Sequence, residues 1–250
     1  MGKVIACSNH KGGVGKTTSV VNVGAGLAKL GRKVLLVDMD PQANLTQSFG
    51  VNKPEYTIYE ALKGEHKLMP IPVNDNLEIV ASTLDLSGAE MELSSEAGRE
   101  YIFTELLDPI RDNYDYVLVD CPPSLGLLTI NALTAADELY IPLQPHYLAI
   151  KGLTKIIEVK DKVRKRLNRK LDITGVFITQ YDKRKILHRD VVDTINTYFQ
   201  DKVFDTKIRD NIALAEAPSM GMDIFRYNEK SYGAEDYLKL CKEILVRQEG

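Results

Sequence analysis

The chain has 250 residues, 44% hydrophobic and 27% charged, with a formal net charge of −3. That length fits one large domain or two small ones, and the ordinary composition excludes disordered, collagen-like and disulfide-scaffold classes. No run of 18 apolar residues is present, the N-terminus lacks the apolar core of a secretory signal, and Cys7, Cys121 and Cys241 are too scattered for a disulfide framework or metal-ligand cluster. The expectation is a soluble, cytoplasmic protein.

Val4-Ile5-Ala6-Cys7 reads as a short apolar strand ending in a glycine loop. A helix is predicted from about Lys16 to Leu30, with Val20, Val23, Leu27 and Leu30 at helical spacing and Gly31 as its cap. Lys33–Val37 is a second apolar strand, ending at Asp38. Strand, helix, strand is a βαβ unit, and runs this continuously apolar suit a parallel sheet covered on both faces. The pattern repeats: Leu77–Ala81 as strand, Glu90–Ile110 as mostly helix, and Tyr116–Asp120 as a third apolar strand with a terminal Asp. Further strands are expected at Leu139–Leu143, Ile173–Thr179 and Val203–Phe204, with helices near 126–136, 150–168 and 188–199. A last helix, about 234–247, sets Leu238, Cys241 and Leu245 on one face. No linker or low-complexity stretch interrupts the series, so the fold class is α/β, one doubly wound, mostly parallel sheet spanning 1–250 with helices on both faces.

Charge is unevenly spread. Residues 1–150 carry 11 Lys and Arg against 19 Asp and Glu, whereas residues 151–250 carry 21 against 16. Most of the basic excess falls in 151–189, which could be a nucleic-acid footprint or the solvated face of a helix bearing Lys160, Lys162, Arg164, Lys165, Arg166, Arg169 and Lys170.

The most informative string is His10-Lys11-Gly12-Gly13-Val14-Gly15-Lys16-Thr17-Thr18, set between a strand and a helix. Glycines let successive backbone N–H groups turn inward around phosphate oxygens, and the helix start adds its positive dipole end. Lys16 then reaches the β- and γ-phosphates and the Thr17 hydroxyl ligates Mg²⁺. The general phosphate-loop pattern has glycine where this chain has His10, and Lys11 is an additional lysine.

That combination is the deviant Walker A signature and resembles the ParA/MinD/nitrogenase-iron-protein group of P-loop ATPases. The resemblance covers nearly all of residues 3–248. It implies ATP and Mg²⁺ as ligands, phosphates cradled by residues 11–18, and Lys11 reaching across a nucleotide-sandwich homodimer to the partner's phosphates, as an arginine finger does elsewhere. Val34–Gln42 resembles the group's second motif and Val117–Ser124 its Walker B. By that resemblance Asp120 holds Mg²⁺, Asp38 supports the metal shell and Asp40 orients the attacking water. Pro122–Gly126 resembles the switch loop. Leu143–Leu153 is a further match, and Asn211–Gly221 resembles the loop over adenine, with Asn211 as base contact. Two positions depart from the pattern: Arg209 stands where proline is usual, and Thr179 where an adenine-contacting asparagine is usual.

Within the group, the iron-protein branch requires a cluster-bridging cysteine pair that this chain lacks. The MinD branch binds membranes through an appended amphipathic helix, for which the chain leaves no room after its last helix. The expectation is therefore the ParA/Soj type, with no membrane partner and nucleoid association of the ATP-bound form. The resemblance implies a dimer that binds DNA without sequence preference and a ParB-like centromere-binding partner that stimulates hydrolysis. Arg189 and Arg226 match DNA-binding positions, with Lys183, Arg184, Lys185 and Lys230 nearby. A positioning ATPase acting on a membrane or protein scaffold is the alternative, and a P-loop kinase, to which Lys11 would be superfluous, a more distant one.

Overall fold

The computed structural model describes residues 2–146 and 149–249. Its strands are β1 (Lys3–Cys7), β2 (Val34–Asp38), β3 (Ile71–Asn74), β4 (Leu77–Val80), β5 (Tyr116–Asp120), β6 (Glu138–Leu143), β7 (Asp172–Tyr181) and β8 (Val203–Arg209). The helices are α1 (Lys16–Lys29), α2 (Asn44–Ser48), α3 (Ile58–Leu62), α4 (Ala89–Glu92), α5 (Ile102–Leu107), α6 (Leu127–Ala135), α7 (Ala149–Arg166), α8 (Ile186–Phe199), α9 (Ile212–Glu216), α10 (Ile224–Asn228) and α11 (Tyr232–Glu249).

One sheet runs in the order β3-β4-β2-β5-β1-β6-β7-β8. Every neighbouring pair is parallel except β3 with β4. Because the strands alternate their side chains, both faces must be covered. Val4, Ala6, Leu35, Val37, Val117 and Val119 pack with Phe103 of α5, Leu128 of α6, Ile156 of α7 and Ile195 of α8. Ile5, Val34, Leu36 and Leu118 pack on the other side, with Val20 and Leu27 of α1 and with Tyr237, Leu240 and Ile244 of α11. Strands buried on both faces read as unbroken apolar runs, which is why β1, β2 and β5 were so plain in the sequence. The chain reverses its direction of travel across the sheet at β1, between β5 and β6, and ligands of open α/β sheets bind beyond the strands' carboxyl ends at such a point.

Helix α1 sits unusually close to its neighbours. A Cβ at Gly24 would come within 2.5 Å of Leu36 Cδ2, and one at Gly26 within 2.5 Å of Cys241 Sγ. Gly31, at φ +85°, follows the helix and donates its N–H to Ala28 O, as its expected capping role requires.

Several expectations are corrected. The helix predicted over Glu90–Ile110 is broken: α4 gives way to a 3₁₀ turn at Leu93–Ser95, and Gly98 takes φ +70° before α5 begins. The stripe of α11 consists of Tyr237, Leu240, Cys241 and Ile244, while Leu238 and Leu245 are half-buried at its margin, because α1 and the sheet meet the helix one position away from the predicted face. β8 runs on to Arg209 and β7 to Tyr181. Strand β3 went unread because Pro72 interrupts its pattern, which an edge strand tolerates. Helix α3 carried a legible signal, since Thr57 and Glu60 stand at capping-box spacing, and Thr57 Oγ1 accepts from Tyr59 N and donates to the Glu60 carboxylate.

Candidate nucleotide-binding site

Residues 8–15 join the carboxyl end of β1 to the start of α1, at the switch point of the sheet. Gly13 and Gly15 take φ of +73° and +81°, a region that strains any residue with a Cβ. No side chain caps α1 at Gly15 and no acidic residue lies in its first turn. The first N–H groups of the helix therefore remain available to an anion. Strand β7 pins the loop from the side: Thr179 Oγ1 donates to Val14 O at 2.8 Å and Gln180 Nε2 to Gly13 O at 2.8 Å. Below it, Asn9 Oδ1 accepts from Lys11 N at 3.0 Å and Asn9 Nδ2 donates to Pro142 O at 2.8 Å. Sequence reading missed Asn9 and Gln180 altogether, for a polar residue beside a strand end carries no distinctive signal.

The structure brings Lys16, Asp38, Asp40 and Asp120 together beneath this loop. Lys16 is only 7% exposed, and its ammonium donates to Lys11 O at 3.5 Å. Strands β2 and β5 pair Asp38 with Asp120 in register at their carboxyl ends. The two carboxylates differ sharply in their partners. Asp38 Oδ1 accepts from Asp40 N at 3.2 Å, and its Oδ2 from Thr46 N and Thr46 Oγ1 at 2.8 and 2.7 Å. Asp120 is fully buried, and neither of its oxygens makes a well-formed hydrogen bond, although the Thr17 hydroxyl is close enough to act on the carboxyl. Burial pushes the Asp38 carboxyl up to about 6, with the Thr46 and Asp40 hydrogen bonds acting against it. Burial raises Asp120 well above the usual carboxylate range and the Asp38 charge adds to this, while Thr17 and Lys16 pull it down.

A buried acid with two orphaned oxygens, next to a threonine at the first turn of a phosphate-loop helix, fits the ligand set of a nucleotide-held Mg²⁺. No group of three or more His, Cys, Asp or Glu among the described residues could hold a metal alone. A cation held by Thr17 and Asp120 would need phosphate oxygens and water to complete its shell.

Gly12 is exposed, and a Cβ there would meet nothing within 4 Å. His10 Nδ1 lies 3.2 Å from Pro123 O and its Nε2 3.4 Å from Lys155 Nζ, so it ties the phosphate loop to the expected switch loop and to α7. Next to Thr18, a cleft of about 210 Å³ is lined by Thr179, Arg209, Asp210, Asn211 and Leu214, which is the setting a base requires. Asn211 uses its Oδ1 to cap α9, accepting from Ala213 N at 2.9 Å. Thr179 spends its hydroxyl on the phosphate loop. Arg209 is held by Asp236 and Glu235 at 2.6 and 2.7 Å and stacks 4.2 Å from the Tyr232 ring. The match over Leu143–Leu153 includes Tyr147 and Leu148, which lie outside the described residues.

The candidate DNA-binding residues are all exposed but do not form one cluster. Lys183, Arg184, Lys185 and Arg189 follow the carboxyl end of β7, and Arg184 is ion-paired to Asp182 at 2.8 Å. Arg226 instead lines a cleft with Lys29, Gly31 and Asn76, toward the far end of α1, with Lys230 just beyond. The helix face at 160–170 is not uniformly solvated: Lys160 is 7% exposed, and Lys160, Arg164 and Lys202 converge on Asp172 at 3.8, 3.5 and 2.9 Å.

A family profile described as an AAA domain matches residues 2–173. The chromosome-partitioning ATPase Soj of Treponema pallidum is 46% identical over 99% of this chain and 98% of its own. The chromosome partitioning protein ParA of Caulobacter vibrioides is 42% identical over 98% of this chain and 95% of its own. Among solved structures, a cobyrinic acid a,c-diamide synthase of Mycobacterium smegmatis with bound ADP and magnesium superposes with TM-score 0.88 at 34% identity, covering 100% of this chain and 96% of that one.

Proposed function

The chain belongs to the Soj/ParA family of partitioning ATPases and takes ATP with Mg²⁺, and from that premise we propose that its ATP-bound homodimer binds duplex DNA and releases it on hydrolysis. The observation that carries the reading is the cradle itself: a buried lysine and an orphaned buried carboxylate under an uncapped helix start. Residues 11–18 wrap the phosphates, Thr17 and Asp120 hold the cation, and Asp38 supports that shell through the backbone around Asp40. Bound Mg²⁺ supplies charge neutralisation at the phosphates. Asp40 orients the attacking water, and Lys11 serves the partner's phosphates. Phosphoryl transfer needs positioning and charge stabilisation more than a strong base, which suits this residue set. A ParB-like protein is the proposed stimulating partner.

The open space at Gly12 yields a clean test of the proposed dimer. Since a side chain fits there within one protomer, Gly12→Val is expected to bind ATP normally while failing to form the ATP dimer. Size-exclusion chromatography in ATP checks this; a normal dimer from the variant counts against the sandwich arrangement.

DNA binding is tested in the slow-hydrolysing Asp40→Ala background across a salt series. Arg189→Glu should leave ATP binding and dimerisation intact and weaken binding to all duplex sequences alike. Each lost phosphate contact lowers the slope of log K against log[salt] by about one unit, so two copies per dimer should lower it by about two. Because Arg189 lies on α8 and Arg226 beside the far end of α1, their effects should add. Unchanged affinity and slope would return both to ordinary surface residues.

A second reading, a positioning ATPase on an anionic membrane, is favoured by one observation: Ile186 and Leu187 are 66% and 47% exposed beside Lys183–Lys185 and Arg189. Cosedimentation with anionic liposomes in ATP, without DNA retention, would select it.

A further inference from the structure

Four buried residues close a ring of hydrogen bonds beside the phosphate site. Asp38 Oδ2 accepts from Thr46 Oγ1 at 2.7 Å, and Thr46 Oγ1 in turn accepts from Ser82 N at 2.9 Å. Ser82 Oγ donates to Asp40 O at 3.1 Å, and Asp40 N donates to Asp38 Oδ1 at 3.2 Å. The ring therefore grips the Asp40 peptide from both sides, its N–H through Asp38 and its carbonyl through Ser82. Exposure is 0% at Asp38, 1% at Thr46, 1% at Ser82 and 7% at Asp40, so water does not compete for these bonds. Ala43 N also donates to Asp40 O and Gln42 N to Asp40 Oδ1, which orients the carboxylate over its own turn. Thr46 is the node of the arrangement. It comes from α2, Ser82 lies two residues past β4, and its one hydroxyl joins both segments to β2.

We infer that Thr46 and Ser82 are positioning residues for hydrolysis, setting the Asp40 carboxylate where it can hold the attacking water. The inference rests on the water-orienting role proposed for Asp40. It separates Asp40, whose carboxylate faces the reaction, from Thr46 and Ser82, which touch no reacting atom and act only through its backbone. Neither residue lines the phosphate loop or base cleft, so loosening the ring should not disturb ATP capture. A displacement on the order of 1 Å in a catalytic group costs about 100-fold in rate, which bounds the expected effect.

The experiment compares wild type with Asp40→Ala, Thr46→Val, Thr46→Ser and Ser82→Ala, measuring ATP affinity by calorimetry, steady-state kcat and KM, and thermal melting. Thr46→Val and Ser82→Ala are expected to lower kcat by about 10- to 100-fold with ATP affinity and KM within twofold. Thr46→Ser, which keeps the hydroxyl, should restore kcat to within about threefold of wild type. Parallel loss of ATP affinity and kcat, unrescued by Thr46→Ser, would mean the ring merely holds the fold together and would overturn the inference. Wild-type turnover by Thr46→Val and Ser82→Ala, with Asp40→Ala inactive, would overturn it and leave the Asp40 assignment standing. Fast turnover by Asp40→Ala would remove that assignment and the inference with it.

Discussion

Lys16→Ala is expected to abolish ATP binding. The ammonium is nine-tenths buried under the phosphate loop, and in this structure it rests against a loop carbonyl at 3.5 Å. A phosphate arriving at the start of α1 gives it a charged acceptor in place of a neutral one, and charge-assisted hydrogen bonds are about twice as strong as neutral ones. Truncation removes the cation nearest to Asp120 and leaves three clustered acids facing the incoming polyphosphate. With about 1.5–3 kcal/mol lost per charged hydrogen bond, and acid repulsion added, affinity should fall by at least 100-fold. Isothermal titration with ATP and Mg²⁺ reads this directly, and retention of wild-type affinity would refute the assignment of the loop.

Asp120→Asn should act in opposite directions on stability and on function. The carboxylate is fully buried with no well-formed hydrogen bond on either oxygen, so without nucleotide neutralising it should stabilise the fold by about 1 kcal/mol at pH 7. The sign follows from linkage. Burial raises this carboxyl in the folded state, so its charged form destabilises the fold at neutral pH, and the penalty is relieved as acid protonates the group. The advantage of the variant in melting temperature should therefore shrink as pH falls. Asp38 behaves alike: burial raises it from 3.8 to about 6, a penalty present above that pH and relieved as pH falls toward 4, and one that eases in the variant, where the neighbouring Asp120 charge is gone. With ATP and Mg²⁺ the order reverses. Wild type should gain melting temperature and the variant little, with turnover down on the order of 1,000-fold. Equal stabilisation of both by Mg²⁺ and ATP would exclude Asp120 from the cation site.

Much of this is legible in the sequence alone. The apolar strands ending in Asp38 and Asp120 announced their depth, because only strands covered on both faces drop the alternation of polar residues. The phosphate loop was legible because its glycines are demanded by backbone geometry at Gly13 and Gly15. The Thr46–Ser82 ring was not, since it joins residues 36 positions apart through side chains of ordinary types. The break between α4 and α5 was missed because Phe103 and Leu107 keep helical spacing after it. Thr179 illustrates a different limit. The sequence marked it as a departure at the base site, whereas the fold gives its hydroxyl to Val14 and thus to the phosphate loop.

The close seating of α1 has a kinematic consequence. At Gly24 the helix is pressed against β2, and at Gly26 against α11, with no clearance for a single methyl group. A shaft seated that tightly can neither slide nor roll without unpacking both bearings. Motion that follows hydrolysis would then have to be taken up away from the helix and from residues 40–46, which the Thr46–Ser82 ring holds, leaving the turn with exposed Pro123 and Ser124 behind β5. The helix is the stator of the device, and that turn is the part left free to move against it.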